Sequence, residues 1–381
     1  MLFFAHRRGK PAVLMGKSAK KGDAMEYSAA EKAIIWLCSR PEFDSRTRAA
    51  LLRASGDPAR IFSDFEKICS QVIHPPQNGL YKGDRTSRGR EAENLLSALR
   101  EKGYFAVTAA SADYPAALGH VYDPPLVLYG AGNRALLAER KFCVVGSRVL
   151  PPWAEKTGRS IAEALTQRFA VVTGFAEGGD SAAIAGALPS GKLICVLPNG
   201  LDVCYPASHA QLRRDVAKKG LLLTEYPPAT GVQKYSFHAR NRLLAGLSEG
   251  VLVLAAGRKS GTLITADCAL EYGREVFALP HNVGAAQGVG CNELIKKGAY
   301  LCTDAEDIFA AFGMQTPARR APVLSDGEMR VLSVLRETGE LHAALVAERA
   351  GMSVCEVQAY LSSLELKGLA VRSGGNRYAP L

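Results

Sequence analysis

Within nine residues, Lys234 to Arg242, stand Lys234, Phe237, Arg240, Asn241 and Arg242. Cations spaced along a groove can neutralise successive phosphates, and an aromatic face among them can stack on a base. Gly146-Ser147-Arg148 is a second such group. It sets a guanidinium at the mouth of a glycine turn, where its fork of donors matches a phosphate. Gly174, Gly178 and Gly179 sit in a third stretch, Thr173 to Asp180, of the kind that lets backbone N–H groups approach an anion. Phe237 alternatively reads as a core phenylalanine at a sheet edge, and Asn241 and Arg242 as a hydrogen-bond network at a helix N-terminus. Asp180 and Asp202 read as turn caps rather than ligand contacts.

These residues need strands and helices to hold them. Phe142 to Val145 and Ala170 to Val172 are short apolar runs ending at glycines, the pattern of strands buried on both faces. Between them Ile161, Ala164, Leu165 and Phe169 recur at helical spacing, so the stretch is a βαβ unit with its loops at the strands' carboxyl ends. Further strand-like runs are Leu126 to Tyr129, Lys192 to Leu197, Leu221 to Thr224, Val251 to Leu254 and Glu275 to Leu279. Helical patterns separate most of them, which predicts an α/β fold with a doubly wound parallel sheet.

The 381 residues, 48% hydrophobic and 22% charged, suffice for two or three domains. The formal charge of +10 favours a polyanionic partner, although six Lys/Arg and no acid fall within Met1 to Lys21 alone. Nine cysteines without Cys-x-x-Cys pairs or histidines at ligand spacing argue against a metal site and for reduced thiols in a cytoplasmic protein. No apolar run approaches the roughly 20 residues that span a bilayer, and Leu2 to Ala5 is too short for a signal-peptide core.

In chain order, residues 1–26 read as a basic, disordered tail, an upstream extension before Met25. Residues 27–80 read as a small helical domain that opens on the capping pattern Ser28-x-x-Glu31 and resembles SAM-like or helix-hairpin-helix modules. A basic linker is expected over 81–93, the central domain over 94–314, and a second linker over 315–322. Residues 323–381 show three amphipathic helices and then a hairpin from Leu369 to Tyr378, a winged-helix pattern.

Gly146-Ser-Arg148, Thr173-Gly-x-Ala-x-Gly-x-Asp180, Tyr205-Pro206, Phe237-x-x-Arg-Asn-Arg-Leu-Leu-Ala-Gly-Leu247, Ser260-Gly-Thr-Leu-Ile-Thr-Ala266 and Gly290-x-Asn-x-Leu-Ile-x-x-Gly-Ala299 follow one another over some 200 residues. In order and spacing this set resembles the DNA-processing protein A (DprA/Smf) family. The resemblance implies an extended Rossmann-like domain that binds single-stranded DNA, forms a homodimer and helps load the RecA recombinase during natural transformation. It implies no catalytic activity and no cofactor. Together, residue chemistry and resemblance make the expected DNA-binding set Gly146, Ser147, Arg148, Gly174, Gly178, Gly179, Lys234, Phe237, Arg240, Asn241, Arg242, Ser260, Gly261 and Thr262. The resemblance favours Phe237 and Lys234 as DNA contacts. The chain departs from the family pattern at Glu177 (usually Arg), Ile184 (usually His), His238 (usually Pro), Ala255 (commonly Glu) and His281 (usually Gly). Glu177 would repel a phosphate.

The last module carries eight basic and seven acidic residues between Arg319 and Leu381, and its expected recognition helix, Ser353 to Leu366, has Glu356 and Glu365 but no Lys or Arg. A major-groove reader presents cations or amides there, so a partner or self-contact module is favoured over a DNA reader, which Arg372 and Arg377 in the wing would support. A rival from another class is a nucleotide-processing enzyme of the lysine-decarboxylase-like, nucleotide glycosidase group. Its Pro-Gly-Gly-x-Gly-Thr-x-x-Glu signature would fall on Ala256 to Thr265, where the carboxylate needed for acid/base work is missing.

Overall fold

The apolar runs of the central region pair into one nine-stranded sheet in a computed structural model that describes residues 26–73, 84–315 and 324–381. Residues 1–25 of the expected tail, 81–83 of the first linker and 316–322 of the second lie outside the described residues. The described chain falls into two compact units, divided between Gln315 and Thr316.

The first unit opens with helices α1 (Ala29–Cys38), α2 (Ser45–Ser55), α3 (Arg60–Val72) and α4 (Arg85–Glu101). There follow β1 (Tyr104–Thr108), β2 (Val127–Gly132), β3 (Lys141–Val145), α5 (Pro152–Leu165), β4 (Ala170–Thr173), α6 (Gly179–Ala187), β5 (Leu193–Val196), α7 (Ala210–Lys219) and β6 (Leu221–Thr224). The unit ends with α8 (Lys234–Leu247), β7 (Gly250–Val253), α9 (Gly261–Glu271), β8 (Glu275–Ala278), α10 (Val289–Lys296), β9 (Tyr300–Leu301) and α11 (Ala305–Ala311).

The strand order is β1-β2-β6-β5-β4-β3-β7-β8-β9. From β6 to β9 every neighbouring pair is parallel, while β2 pairs antiparallel with both β1 and β6. All seven expected strands are present. The sequence reading omitted β1 and the two-residue β9, and the sheet is mixed rather than wholly parallel.

Side chains of alternate strand residues enter opposite cores. Phe142, Val144, Val171, Leu193 and Leu252 pack with Ile161 and Leu165 of α5 and Ala183 of α6. Cys143, Val145, Val172, Ile194 and Val251 pack with Leu243 and Leu244 of α8 and Ala266 of α9. Strands covered on both faces read as unbroken apolar runs, which is why they were legible. Cys143 and Cys195 are fully buried, and burial pushes both thiols well above their ordinary pKa.

Helices α1 and α4 lie on the sheet through Ile34, Ile35, Leu96 and Leu99, which share a core with Ala106 and Tyr129. Tyr27 fixes the entry, its hydroxyl accepting from the Ala106 N–H at 3.0 Å. The Ser28/Glu31 capping box starts α1 as its spacing predicts. Residues 84–93, read as part of a linker, instead cap and open α4. Asp84 caps α4, accepting from the Ser87 N–H at 2.8 Å, and Arg88 is buried, its guanidinium 4.8 Å from the Phe65 ring centroid. Arg85 and Arg90 belong to the outer face of a helix whose inner face is Arg88, Ala92, Leu96 and Leu99.

The second unit contains α12 (Asp326–Thr338), β10 (Leu341–His342), α13 (Ala343–Ala350), α14 (Val354–Leu366), β11 (Ala370–Ser373) and β12 (Arg377–Pro380). The strands pair antiparallel in the order β10-β12-β11. Val331, Leu335, Val346, Leu361, Leu364 and Tyr378 form the core. The three expected helices and the hairpin are all present.

Among the described residues no helix is long and apolar enough to cross a membrane, and no group of three or more His, Cys, Asp or Glu is placed to hold a metal ion.

Candidate nucleic-acid interface

A cleft of about 640 Å³ opens beyond the carboxyl end of β3, floored by the 146–148 loop and walled by the N-terminal turns of α8 and α9. It brings together ten of the fourteen expected residues: Gly146, Ser147, Arg148, Lys234, Phe237, Arg240, Asn241, Ser260, Gly261 and Thr262. Gly174 lines a smaller recess with Arg148 and Phe237, whereas Arg242 lines a different cleft altogether.

The glycines serve close packing. Gly178 has φ +76°, and a Cβ there would lie 2.3 Å from the Ser147 carbonyl oxygen; one on Gly179 would lie 2.4 Å from the Gly146 Cα. The 178–179 turn therefore tucks under the 146–148 loop and sets the position of Arg148. The Gly179 N–H donates to the Ser147 carbonyl at 3.0 Å, and the Ser147 N–H to the Ala255 carbonyl at 2.8 Å. The Ser147 hydroxyl also donates to Ala255 O, at 3.0 Å. These N–H groups, expected to face an anion, are already used within the fold.

The exposed cations of the cleft are Arg148 and Lys234. Neither makes an ion pair among the described residues. The Arg148 guanidinium lies 6.0 Å from the centroid of Phe237. Phe237 is half-buried and belongs to neither face's core, so the reading of it as a core residue does not match its position. Its ring meets Tyr205 edge-on at 5.6 Å, and Tyr205 is itself 40% exposed. Tyr205 and His238 also line the cleft but were not singled out as site residues. The signal for Tyr205 was present: an aromatic beside Pro206 in a loop after a strand.

Three consecutive residues of α8 are used differently. Arg240 is 5% exposed; one guanidinium nitrogen donates to the carbonyls of Gly174 and of Val196, the latter at 2.9 Å. Its place beneath the floor, pressed against Gly174, makes it a clamp between β4 and β5. Asn241 donates to the Gly261 carbonyl at 3.1 Å, joining α8 to α9. Arg242 pairs with Glu225 at 2.6 Å. A contiguous Arg-Asn-Arg motif is divided by the 100° turn per residue between core, seam and a second surface.

Asp180 also lines the cleft, and its carboxylate accepts from the Ala176 N–H at 3.1 Å. Burial raises its pKa, against the opposing pull of the Arg240 charge. The same burial lowers the pKa of Arg240. Glu177 stands exposed on the wall of the smaller recess and accepts from the Ser208 hydroxyl at 3.3 Å. Ser260 caps α9, accepting from the Thr262 N–H at 3.3 Å. Two helix N-termini thus border the cleft, and their positive ends add to the field of Arg148 and Lys234. The arrangement can hold a phosphodiester against cations with a base lying on an aromatic pair.

A family model described as DNA recombination-mediator protein A matches residues 105–313, and one described as DprA winged helix domain matches residues 315–376. DNA processing protein DprA of Streptococcus pneumoniae is 40% identical over 200 residues, 52% of this chain and 71% of that protein. Protein Smf of Escherichia coli is 37% identical over 300 residues, 75% of this chain and 80% of that protein. The X-ray structure of the pneumococcal protein superposes with a TM-score of 0.62 at 31% identity, covering 75% of this chain and 98% of that one. A structure concerned with the single-stranded DNA binding mode of DNA processing protein A from Helicobacter pylori gives 0.50 at 32% identity, covering 55% and 95%.

Proposed function

The chain belongs to the DNA recombination-mediator protein A (DprA/Smf) family, and from that premise we propose how it acts as a single-stranded DNA-binding recombination mediator. It is a binding protein and not an enzyme. Arg148 and Lys234 hold phosphates, and Phe237 with Tyr205 offers the face on which a base stacks. The observation that carries this reading is the meeting of two unpaired cations and an aromatic pair in one cleft, bordered by two helix N-termini. Gly146, Ser147, Gly178 and Gly179 shape the loop; Gly174, Arg240 and Asn241 support it from below. Ser260, Gly261 and Thr262 supply the α9 end. Single strands fit better than duplex because stacking needs an unpaired base.

The strand order and the helices on both faces support a Rossmann-like, doubly wound description of the sheet, and the helix order with its three-stranded sheet supports a winged helix in the second unit. Domain limits near 94–314 and 323–381, with helices ahead of the sheet resembling a SAM-like module, belong to the same proposal. So do homodimerisation, a place in the cytoplasm and delivery of the strand to RecA during natural transformation. In the second unit, Arg377 is paired with Glu340 at 2.9 Å and Arg372 lies 6.0 Å from the Tyr378 ring, which supports a partner-contact role over groove reading. The test is a titration of labelled single-stranded and blunt duplex DNA of equal length. Preference for the single strand, lost steeply as salt rises, is expected; equal affinity for the two would count against the reading.

A further inference from the structure

A second cleft, of about 850 Å³, lies between α2 and the 122–127 segment that leads into β2. Four arginines line it: Arg46, Arg48 and Arg53 from α2, and Arg242 from α8. Its acids, Asp123 and Glu225, both lie on Arg242, at 3.9 and 2.6 Å. Nearby, the Asp44 carboxylate caps α2 by accepting from the Thr47 N–H at 2.7 Å. Arg46 and Arg53 are exposed and make no ion pair among the described residues. The Arg48 Nε and the Arg242 Nη1 are buried without a hydrogen-bond partner. Arg48 donates from its Nη2 to the Arg40 carbonyl at 2.7 Å, which holds its guanidinium at the cleft wall. Tyr122 stands at the rim, 94% exposed and followed by Pro124 and Pro125.

We propose that this arginine-lined cleft between α2 and the 122–127 segment is a second single-strand contact, holding phosphates on Arg46, Arg48 and Arg53 and a base on Tyr122. The proposal rests on the reading of the first cleft as a single-strand site. Asn241 lines that first cleft and Arg242 the second, so adjacent residues of α8 border both. A strand leaving the Lys234–Phe237 end need only cross this helix to reach α2. Pro124 and Pro125, two and three residues further on, stiffen the segment that carries this aromatic into water, where it offers a stacking face.

The test uses the full chain and oligothymidines of about 6 and about 30 nucleotides, the first near the lower end of the range of roughly 4–16 that one single-strand module occupies and the second well above it. Arg46→Ala with Arg53→Ala should weaken the long strand about tenfold or more and leave the short one nearly unchanged. The salt slope for the long strand should fall by about 1.4, at about 0.7 per phosphate contact. Tyr122→Ala should weaken the long strand with no change in slope, which a general loss of positive field would not do. Removing Lys218 and Lys219 on the exposed face of α7 controls for net charge and should have little effect. Long-strand affinity and slope unchanged in the α2 variant overturn this proposal alone, and binding of an acidic peptide there instead would do the same. Failure of the unsubstituted chain to bind either length overturns the first-cleft reading and this proposal with it.

Discussion

Charge at a position in sequence and charge presented to a ligand are different quantities, and α8 separates them. Arg240, Asn241 and Arg242 are chemically alike in promise, yet Arg240 is sealed under the floor with its guanidinium on two backbone carbonyls. Removing it would leave those carbonyls and the buried Asp180 carboxylate without their cation. Arg240→Ala should therefore cost about 3–5 kcal/mol of folding stability, lowering the melting temperature whatever it does to DNA. Arg148→Ala, on an exposed side chain, should leave the melt where it is. If the Arg240 variant melts normally and fails only in binding, its assignment as a clamp is wrong. Gly179→Ala makes the matching case for close packing. Its methyl would strike the Gly146 backbone, and overpacking of this kind costs about 1–3 kcal/mol.

At the scale of elements, what could be read was what repeats. The seven strands were legible because each is buried on both faces and bounded by glycine or a turn. β1 was not: Tyr104 to Thr108 lies against α4 and was absorbed into the start of the central domain, although it too is an almost continuously buried run. Residues 85–93 were read as a linker because their charges drew attention from the period of Arg88, Ala92, Leu96 and Leu99; Arg88 is buried to its tip, where one guanidinium nitrogen donates to the Phe62 carbonyl at 3.2 Å. Ten of the expected residues line one cleft because loops after parallel strands gather at one edge. The division of Arg240 from Arg242 was not visible, because it depends on the rotation of α8 against the sheet.

The second unit offers a pH test at this scale. Glu328 on α12 accepts from Ser363 at 2.6 Å and bonds to Lys367 just past α14, tying the two helices. The Lys367 bond, then those from Ser363 and the Ser325 N–H, hold its pKa down from the ordinary 4.5 to about 2. A carboxylate depressed on folding adds stability above its unfolded value and loses it as pH falls through the folded one. The unit should thus lose stability between about pH 4.5 and about pH 2, and Glu328→Gln should flatten that part of the profile. Melts of the two forms across this range check it; parallel profiles would contradict the assignment.

At the scale of the whole molecule, a mediator must hold DNA and still engage other proteins. The charge balance of the second unit, with Arg377 already paired, fits the proposal that it serves the latter task. Deleting residues 323–381 should change single-strand affinity by less than tenfold, about 1.4 kcal/mol, while altering association with a partner or higher assembly. Sedimentation at micromolar concentration should show a dimer of the remaining chain. A monomer that binds DNA normally would remove dimerisation from the account.

The central claim is that Arg148 and Lys234 meet phosphates where Phe237 meets a base, and salt-dependent binding of single-stranded DNA to three variants tests it most directly. Arg148→Ala and Lys234→Ala should each weaken binding and reduce the slope of log affinity against log salt by about 0.7, the counterion release of one single-strand phosphate. Phe237→Ala should weaken binding by about 1–3 kcal/mol with the slope unchanged, as loss of a neutral stacking face requires. An unchanged slope in the Arg148 variant, or a Phe237 variant whose binding loss merely tracks a lowered melting temperature, would contradict the account.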